Sequence, residues 1–277
     1  MKGEQQMELT TRQRNEMEYH KEHARKNMTL VDKPVDWEVI ENPGKRWWNA
    51  YWQMFDYLAG VSVKGKNALV VGCGFGDDAL RLAAMGANVS ACDLSADSLE
   101  LARKLADREG VDIALEQMKA ESMTYTDSMF DVIVARDIFH HVEIGPTMRE
   151  IERVSRPGAV LVVNEIYTHS WIDWIRHSSL VERLLYARMQ RFVYASDDPY
   201  ITEDERKLDE SDVAAIMETF TVVDLRRYFN FVVTRVLPDR YDTAAKVDRA
   251  MLLLLGPLGH MVAGRILFGG RLKTETE

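Results

Sequence analysis

Short apolar runs alternate with amphipathic segments from residue 66 to residue 165, and this alternation is the strongest pattern in the chain. The apolar runs predict strands at residues 68–71, 88–92, 112–116, 130–135 and 159–164. The segments between them predict helices at residues 78–85, 96–109 and 144–154. Continuous apolar strands separated by amphipathic helices are typical of a parallel sheet covered on both faces, so we expect an open α/β fold.

Three local signals predict helix ends within this region. Ser95 precedes the helix at 96–109 and suits the N-cap position. Gly110 is expected to end that helix, and Pro157-Gly158 is expected to close the helix at 144–154.

The first 60 residues have a different pattern. Residues 4–26 are polar nearly all round, which suits a surface helix or an arm that leans on another subunit. Residues 46–58 predict a helix dense in aromatic side chains. We expect residues 1–60 to form a helical arm and an aromatic lid helix, and residues 61–277 to form the main domain.

The simple alternation stops after residue 165. Helices are predicted at residues 171–194, 210–220 and 242–263, and strands at 221–227 and 265–268. Residues 166–220 and 230–264 are expected to form cap elements over a ligand pocket.

Composition and charge narrow the partners. The chain has 277 residues, of which 46% are hydrophobic, and this is enough for a sizeable core. Its net charge of −9 argues against a nucleic acid partner, because Lys and Arg contacts to phosphate dominate that kind of binding.

Two features predict a cytoplasmic location. Cys73 and Cys92 lie in predicted buried segments without a CxxC motif, which fits a reducing compartment. The longest uncharged stretch, residues 250–264, is too short to span a membrane and contains Gly256-Pro257, so no integral membrane association is expected.

A glycine-rich turn follows the first predicted strand. Its glycines are Gly72, Gly74 and Gly76, and Asp77 stands where a dinucleotide fingerprint would have its third glycine. An acid beside a pyrophosphate is repelled, whereas an acid near the ammonium group of a methionine moiety is favourable. The turn therefore favours S-adenosylmethionine over NAD. Asp93, at the end of the second strand, lies where a βαβ unit holds ribose hydroxyls.

Several ordered motifs extend this signal: VGCGFG at 71–76, DLS at 93–95, AE at 120–121, FDVIVARD at 130–137, FHHV at 139–142 and EIERVSRPG at 150–158. Together they resemble class I S-adenosylmethionine-dependent methyltransferases of the small-molecule, ubiquinone-biosynthesis-like type. The resemblance implies a Rossmann-like open sheet of seven strands, mostly parallel with an antiparallel last strand, with helices on both faces. In this chain an N-terminal helical arm and helical insertions after the fifth strand would be added.

The resemblance also implies which residues contact the cofactor. The methionine and ribose part would be lined by Gly72, Cys73 and Gly74, with Asp93 on the ribose hydroxyls. Leu94, Ala120 and Glu121 would contact the adenine, and the carbonyls of Ala135 and Arg136 would face the methionine amine. Tyr19 and Tyr51 could pack on the sulfonium, since an aromatic face attracts a cation. The alternative for this aromatic region, which includes Trp48 and Trp52, is ordinary core.

The chain departs from the family pattern at Val70, where relatives usually carry an acid that helps to hold the cofactor's ammonium group. Asp77 or Asp78, at the start of the next helix, could substitute. Lys119 is a second departure, because relatives often have an acid there.

Three residues are candidate general bases, required only if the acceptor must lose a proton. Glu165 directly follows the strand at 159–164, and His140 and His141 follow the fourth strand. Glu165 could equally be a structural carboxylate, and one histidine could simply pack. No metal site is predicted, because His20 and His23 lack further ligands at suitable spacing.

The acceptor is expected to be a small, hydrophobic molecule, such as an isoprenoid or another natural product. Arg176, Arg183 and Arg191 share a predicted helix face, which indicates either an anionic group on the acceptor or a solvated surface. Two other functions remain open at this point: an NAD-dependent oxidoreductase and a non-catalytic S-adenosylmethionine-binding protein. A homo-oligomer formed through the N-terminal helix is also possible.

Overall fold

The computed structural model describes residues 10–26, 31–176, 207–229 and 242–273. Its centre is a seven-stranded sheet with the order β3-β2-β1-β4-β5-β7-β6. The strands are β1 (Asn67–Val71), β2 (Asn88–Asp93), β3 (Ile113–Gln117), β4 (Phe130–Arg136), β5 (Ser155–Ile166), β6 (Phe220–Phe229) and β7 (Arg265–Leu272).

Nine α-helices lie in the described part of the chain. They are α1 (Thr11–Lys26), α2 (Glu38–Glu41), α3 (Ala50–Val61), α4 (Asp77–Ala84), α5 (Ala96–Glu109), α6 (Ile144–Val154), α7 (Ser170–Arg176), α8 (Glu210–Met217) and α9 (Asp242–Leu255). Two 3₁₀ helices, Pro43–Arg46 and Gly256–Met261, precede α3 and follow α9.

The strand directions confirm the expected fold. Strands β1 to β5 pair in parallel, and β7 lies antiparallel between β5 and β6. A Cβ atom at Gly270 would overlap the carbonyl oxygen of Val222, so only glycine permits the close approach of β7 and β6.

The core occupies both faces of the sheet. In β1, Leu69 and Val71 belong to one buried cluster, and Ala68 and Val70 belong to the cluster on the other face. This division follows from the two-residue period of a strand. Parallel strands whose side chains are buried on both faces require continuous apolar runs, and such runs were the basis of the prediction.

The aromatic segment forms part of this core. Helix α3 begins at Ala50, where Asn49 caps it, and not at residue 46. It packs against β5, β6 and β7, and its Trp52, Phe55 and Leu58 side chains are buried. Trp52 is therefore part of the core, which was the alternative interpretation of the aromatic region.

Three predicted helix ends are confirmed or corrected. Ser95 caps α5, and Gly110 ends it in the left-handed conformation. Pro157-Gly158 does not close a helix: α6 ends at Val154, and β5 begins at once because Ser155 pairs with Phe130.

Two predictions after β5 change as well. The expected helix at 242–263 ends at Leu255 and continues as a 3₁₀ helix, because Pro257 lacks the N–H that an α-helix needs. The expected helix at 171–194 is described only through α7, and its remainder lies outside the described residues. Within the described residues, no helix is both long and apolar enough to cross a membrane.

Candidate active site

A cavity of about 350 Å³ opens at the carboxyl ends of β1, β2 and β4, and we call it the main cavity because of its position at the strand ends. This is the edge at which open α/β sheets bind ligands. Eight of the predicted cofactor residues line it: Gly72, Cys73, Gly74, Asp93, Leu94, Ala120, Glu121 and Arg136.

Backbone geometry shapes the glycine turn. Gly72 has φ +66°, and a Cβ atom there would lie 2.6 Å from the Ile138 side chain. Gly76 has φ +86°, and a Cβ atom there would lie 2.9 Å from the Cβ of Ala102 in α5. Gly72 therefore lets the loop after β4 approach the cavity, while Gly76 lets two helices pack closely.

Asp93 holds the turn together. One carboxylate oxygen accepts the Gly74 N–H at 2.8 Å, and the other accepts the Ser95 N–H at 2.8 Å. The Cys73 N–H donates to the Cys92 carbonyl at 3.0 Å, which ties the ends of β1 and β2. Burial raises the pKa of both cysteine thiols, to about 12 for Cys92, so they remain neutral at the cavity wall.

The two acids at the start of α4 have different surroundings. Asp77 lines the cavity and its side chain is half exposed, although it also approaches Arg81 at 3.3 Å. Asp78 is buried, does not line the cavity, and accepts a 2.7 Å hydrogen bond from Arg136 Nε. Val70 is buried in the core cluster that contains α3. Of the two proposed substitutes for the missing acid, only Asp77 faces the ligand space.

Tyr51 lies behind the cavity wall. Its hydroxyl accepts a hydrogen bond from Arg81 at 3.0 Å, and the Arg136 guanidinium lies 5.0 Å from the centre of its ring. Burial raises the pKa of Tyr51 well above its usual value. Tyr51 therefore supports Arg136 and does not itself line the cavity. Ala135 is likewise fully buried inside β4.

Helix α1 forms a further wall. Gln13 and Met17 line the cavity, and Gln13 Nε2 donates to Glu121 Oε1 at 3.3 Å. The helix packs against α5 of its own chain. Tyr19 belongs to this helix, but its side chain lies outside the described part of the structure.

Glu165 is fully buried at the end of β5 and does not line the main cavity. Its carboxylate accepts the N–H groups of Phe139 and Ile166, each at 2.8 Å, and lies 2.6 Å from His140 Nδ1. The expectation that Glu165 faces the acceptor is not met, because these three neighbours occupy its oxygens. These contacts fit the other interpretation of Glu165, that of a structural carboxylate.

The two histidines face different spaces. His141 lines the main cavity, whereas His140 is 7% exposed and lines a groove between α6 and α8. Their ring centres are 3.9 Å apart. Of the three base candidates, His141 is therefore the one at the ligand space.

Asp137 connects this region to β7. It has φ +53°, which is rare outside glycine, and its carboxylate lies 2.8 Å from Arg265 and 3.2 Å from Arg136. Asp137, His140 and Glu165 offer ligand-type atoms within 4.8 Å of one another. The arginines on Asp137 and the N–H donors on Glu165 engage the oxygens that a metal ion would need.

Sequence reasoning missed several residues that line the main cavity: Gln13, Met17, Phe75, Met118, Ile138 and Val142. Phe75 and Val142 lie inside two of the quoted motifs, and Met118 and Ile138 lie within two residues of one, so these four could have been included. Gln13 and Met17 carry no such signal, because only the packing of α1 brings them to the site.

Residues 69–163 match the sequence model of a family described as a methyltransferase domain. The methyltransferase GfsG of Streptomyces halstedii is 31% identical over 144 residues, which are 50% of each chain. A ubiquinone biosynthesis O-methyltransferase of Aeromonas salmonicida is 32% identical over 104 residues, which are 37% of this chain and 44% of that protein. The chain thus spans half or less of the length of these relatives.

Solved structures share the architecture. The [4+2]-cyclase SpnF aligns with a TM-score of 0.52 and 17% identity, covering 92% of this chain and 96% of that chain. A SAM-dependent methyltransferase from Methanosarcina mazei aligns with a TM-score of 0.51 and 18% identity, covering 79% and 98%. At such identities the likeness shows the fold alone.

Proposed function

We propose that this chain, whose residues 69–163 match a methyltransferase-domain family model, is a class I S-adenosylmethionine-dependent methyltransferase and transfers a methyl group from S-adenosylmethionine to a small, apolar acceptor. The observation that carries the proposal is the main cavity, where eight residues assigned from separate sequence motifs converge. Its volume of about 350 Å³ lies in the range of small-molecule sites.

The donor set fits the proposed cofactor. Three acids, Asp77, Asp93 and Glu121, line the same cavity, and Arg136 lines it as well. Asp77 would hold the ammonium group in place of the acid absent at Val70, and Asp93 would bind the ribose hydroxyls. A pyrophosphate would instead meet repulsion from Asp77, which disfavours NAD.

The remaining walls suit the adenine and the acceptor end. Leu94, Met118 and Ala120 give an apolar surface for the adenine, with Glu121 beside it. Ile138, His141 and Val142 lie in the loop after β4 and also line the cavity. We assign this loop to the acceptor.

When bound, the cofactor supplies a methyl group that is already activated on a sulfonium. The chain's part is to align the acceptor atom with the methyl group for in-line displacement and to exclude water, and orientation of this kind accounts for much of the acceleration. His141 would accept the acceptor's proton where one must leave. Glu165 and His140 would hold His141 in place from behind, without contacting the acceptor.

The apolar nature of the acceptor rests on two supports. Exposed apolar side chains lie on the elements after β5, such as Trp174 in α7 and Leu254 in α9, at 76% and 81% exposure. One relative is named for ubiquinone biosynthesis, which suggests an isoprenoid or another natural product. The side chains of Arg176, Arg183 and Arg191 lie outside the described residues, so an anionic group on the acceptor has no structural support.

Calorimetry with S-adenosylhomocysteine tests the cofactor assignment. We expect micromolar binding by the full chain and a loss of about 100-fold in Asp93→Asn, equivalent to about 2.7 kcal/mol. Asp107→Asn is the control, because Asp107 is exposed on α5 and does not line the cavity. Binding of NAD⁺ without S-adenosylhomocysteine would overturn the proposal.

Turnover separates an enzyme from a cofactor-binding protein. With radiolabelled S-adenosylmethionine and a panel of apolar phenols, we expect methylation of at least one phenol. Tight donor binding without methylation of any phenol would favour the non-catalytic alternative. A homodimer formed by exchange of α1 is compatible with its packing on α5, and light scattering would detect it.

A further inference from the structure

Arg136 is the last residue of β4 and lines the main cavity. Its Nε donates to Asp78 at 2.7 Å, and its Nη1 donates to the Asp137 carboxylate at 3.2 Å. In the part of the chain that the structure describes, no group pairs with Nη2, and this nitrogen is not one of the buried atoms that lack a partner. The side chain is 28% exposed, so Nη2 is the donor that a ligand in the cavity can reach.

The contacts of Arg136 hold its guanidinium in a fixed position. Asp78 is buried beneath it, and the centre of the Tyr51 ring lies 5.0 Å from the guanidinium carbon. Burial alone would lower the pKa of Arg136, but the carboxylates of Asp78 and Asp137 raise it above its usual value, so the group stays charged. A planar cation that is held in this way suits an anion with two oxygens in one plane, such as a carboxylate.

The order of the strands indicates which end of the ligand reaches Arg136. The sheet runs from β3 through β2 and β1 to β4. Ala120 and Glu121 follow β3, Asp93 ends β2, and Asp77 follows β1. In the proposed function these residues meet the adenine, the ribose and the ammonium group in that order. The methionine end of the cofactor therefore lies at β1 and β4, beside Arg136.

Lys119 is the other lysine or arginine that lines the main cavity. It lies after β3, beside Ala120, and β2 and β1 separate β3 from β4 in the sheet. It therefore belongs to the adenine end. Acids line the cavity between the two ends and repel a carboxylate, so the favourable place for one at the methionine end is next to Arg136.

We propose that the Arg136 guanidinium binds the carboxylate of the methionine moiety, while Asp77 holds its ammonium group. The inference rests on the proposed function and deepens it. Asp78 is then a positioning residue, because it holds Arg136 without lining the cavity. The two adjacent acids at the start of α4 thus serve the two charges of one zwitterion, one directly and the other through Arg136.

Calorimetry of the full chain with three ligands tests this assignment. S-adenosylhomocysteine carries both charged groups, its decarboxylated analogue keeps only the ammonium group, and its deaminated analogue keeps only the carboxylate. The wild type should bind S-adenosylhomocysteine about 30-fold more tightly than the decarboxylated analogue. Arg136→Gln should reduce this preference to about threefold or less, and it should retain the preference over the deaminated analogue.

Lys119→Gln is the charge-matched comparison within the same cavity, and it should retain the preference for the ligand with a carboxylate. Arg156→Gln is the control away from the cavity, because Arg156 pairs with Asp131 near the start of β4. It should leave all three affinities unchanged. A preference that survives in Arg136→Gln would overturn the assignment, as would its loss in Lys119→Gln.

Arg136→Lys is the second variant, for use if Arg136→Gln fails to fold because the buried Asp78 has lost its partner. Lysine keeps the charge but not the planar fork, so the preference should fall to about fivefold, and an unchanged preference would contradict the proposal. The wild type also gives a test without any variant, since equal affinity for S-adenosylhomocysteine and its decarboxylated analogue would rule out a carboxylate site. Failure to bind S-adenosylhomocysteine at all would instead contradict the proposed function.

Discussion

The two sides of the main cavity are held by different forces. On the side of β1 and β2, backbone geometry shapes the site: Gly72 has a left-handed conformation, and Asp93 bonds two backbone N–H groups. On the side of β4 and β5, the charged contacts of the buried Glu165 and the partly exposed Asp137 do so. We therefore expect substitutions that add side-chain volume to disrupt the first side, and substitutions that remove a charge to disrupt the second.

Gly72→Ala should have the largest effect, because it distorts the side of the main cavity formed by β1 and β2. The new Cβ would lie 2.6 Å from Ile138 and the residue would also keep φ +66°, so the turn and the loop after β4 must separate. We expect binding of S-adenosylhomocysteine to weaken by more than about 100-fold by calorimetry.

Gly110→Ala is the matched control for that variant. Gly110 has φ +67°, and no atom lies within 4 Å of the added Cβ. It should cost about 1–2 kcal/mol of stability from backbone strain and leave the affinity unchanged. Equal affinities in the two variants would show that the approach of Ile138 does not shape the cavity.

Glu165→Gln should weaken the second side while sparing the first. The amide nitrogen of Gln cannot accept a hydrogen bond, so at least one buried N–H donor loses its partner, and His140 loses the neighbouring charge. We expect a loss of about 2–4 kcal/mol in the free energy of unfolding, measured with urea.

Binding of S-adenosylhomocysteine to Glu165→Gln should stay within about threefold of the wild type, a change below 1 kcal/mol. Glu218→Gln, at an exposed position after α8, should change stability by less than about 0.5 kcal/mol. A large loss of cofactor affinity in Glu165→Gln would show that the two sides are not independent.

Substitution of Asp137 should have the smallest effect of the three, and this effect should appear in how the stability of the protein depends on pH. Burial alone would raise the pKa of Asp137, but the Arg265 and Arg136 guanidinium groups lower it below the usual carboxyl range. A lowered pKa in the folded state gives stability that is present above about pH 4 and is lost as the pH falls through the folded pKa.

Asp137→Asn should therefore be less stable than the wild type at neutral pH, and the difference should shrink on acidification. Urea unfolding between about pH 5.5 and pH 3 measures this convergence. Parallel pH profiles of the two proteins would mean that the arginine contacts of Asp137 do not contribute to acid stability.

The sequence predicted the regular part of the fold well because local and tertiary preferences agree there. The bounds of α5 and α6 match their predictions. In α5 the apolar periodicity coincides with the Ser95 and Gly110 capping signals, whereas in α6 the apolar periodicity alone predicts the bounds. Pro157-Gly158 was wrongly predicted to end the preceding helix. Both residues lie within strand β5, which starts at Ser155.

The site was predictable where the backbone defines it and less so where packing does. Adjacent acids on a helix point about 100° apart, and the sequence could not decide which of Asp77 and Asp78 faces the ligand. The burial of Glu165 likewise depends on the loop after β4 folding back onto β5, which no local pattern encodes.

Helix α1 contributes a wall to the main cavity but no residue to the sheet or to the buried core clusters of the described chain. A chain that begins at Val31 would keep every described strand and lose that wall. The residues that form the sheet and core are thus different from the α1 residues that form this wall of the ligand site. Changes in the length or charge of α1 could therefore alter which molecules bind in the main cavity without changing the sheet or its core.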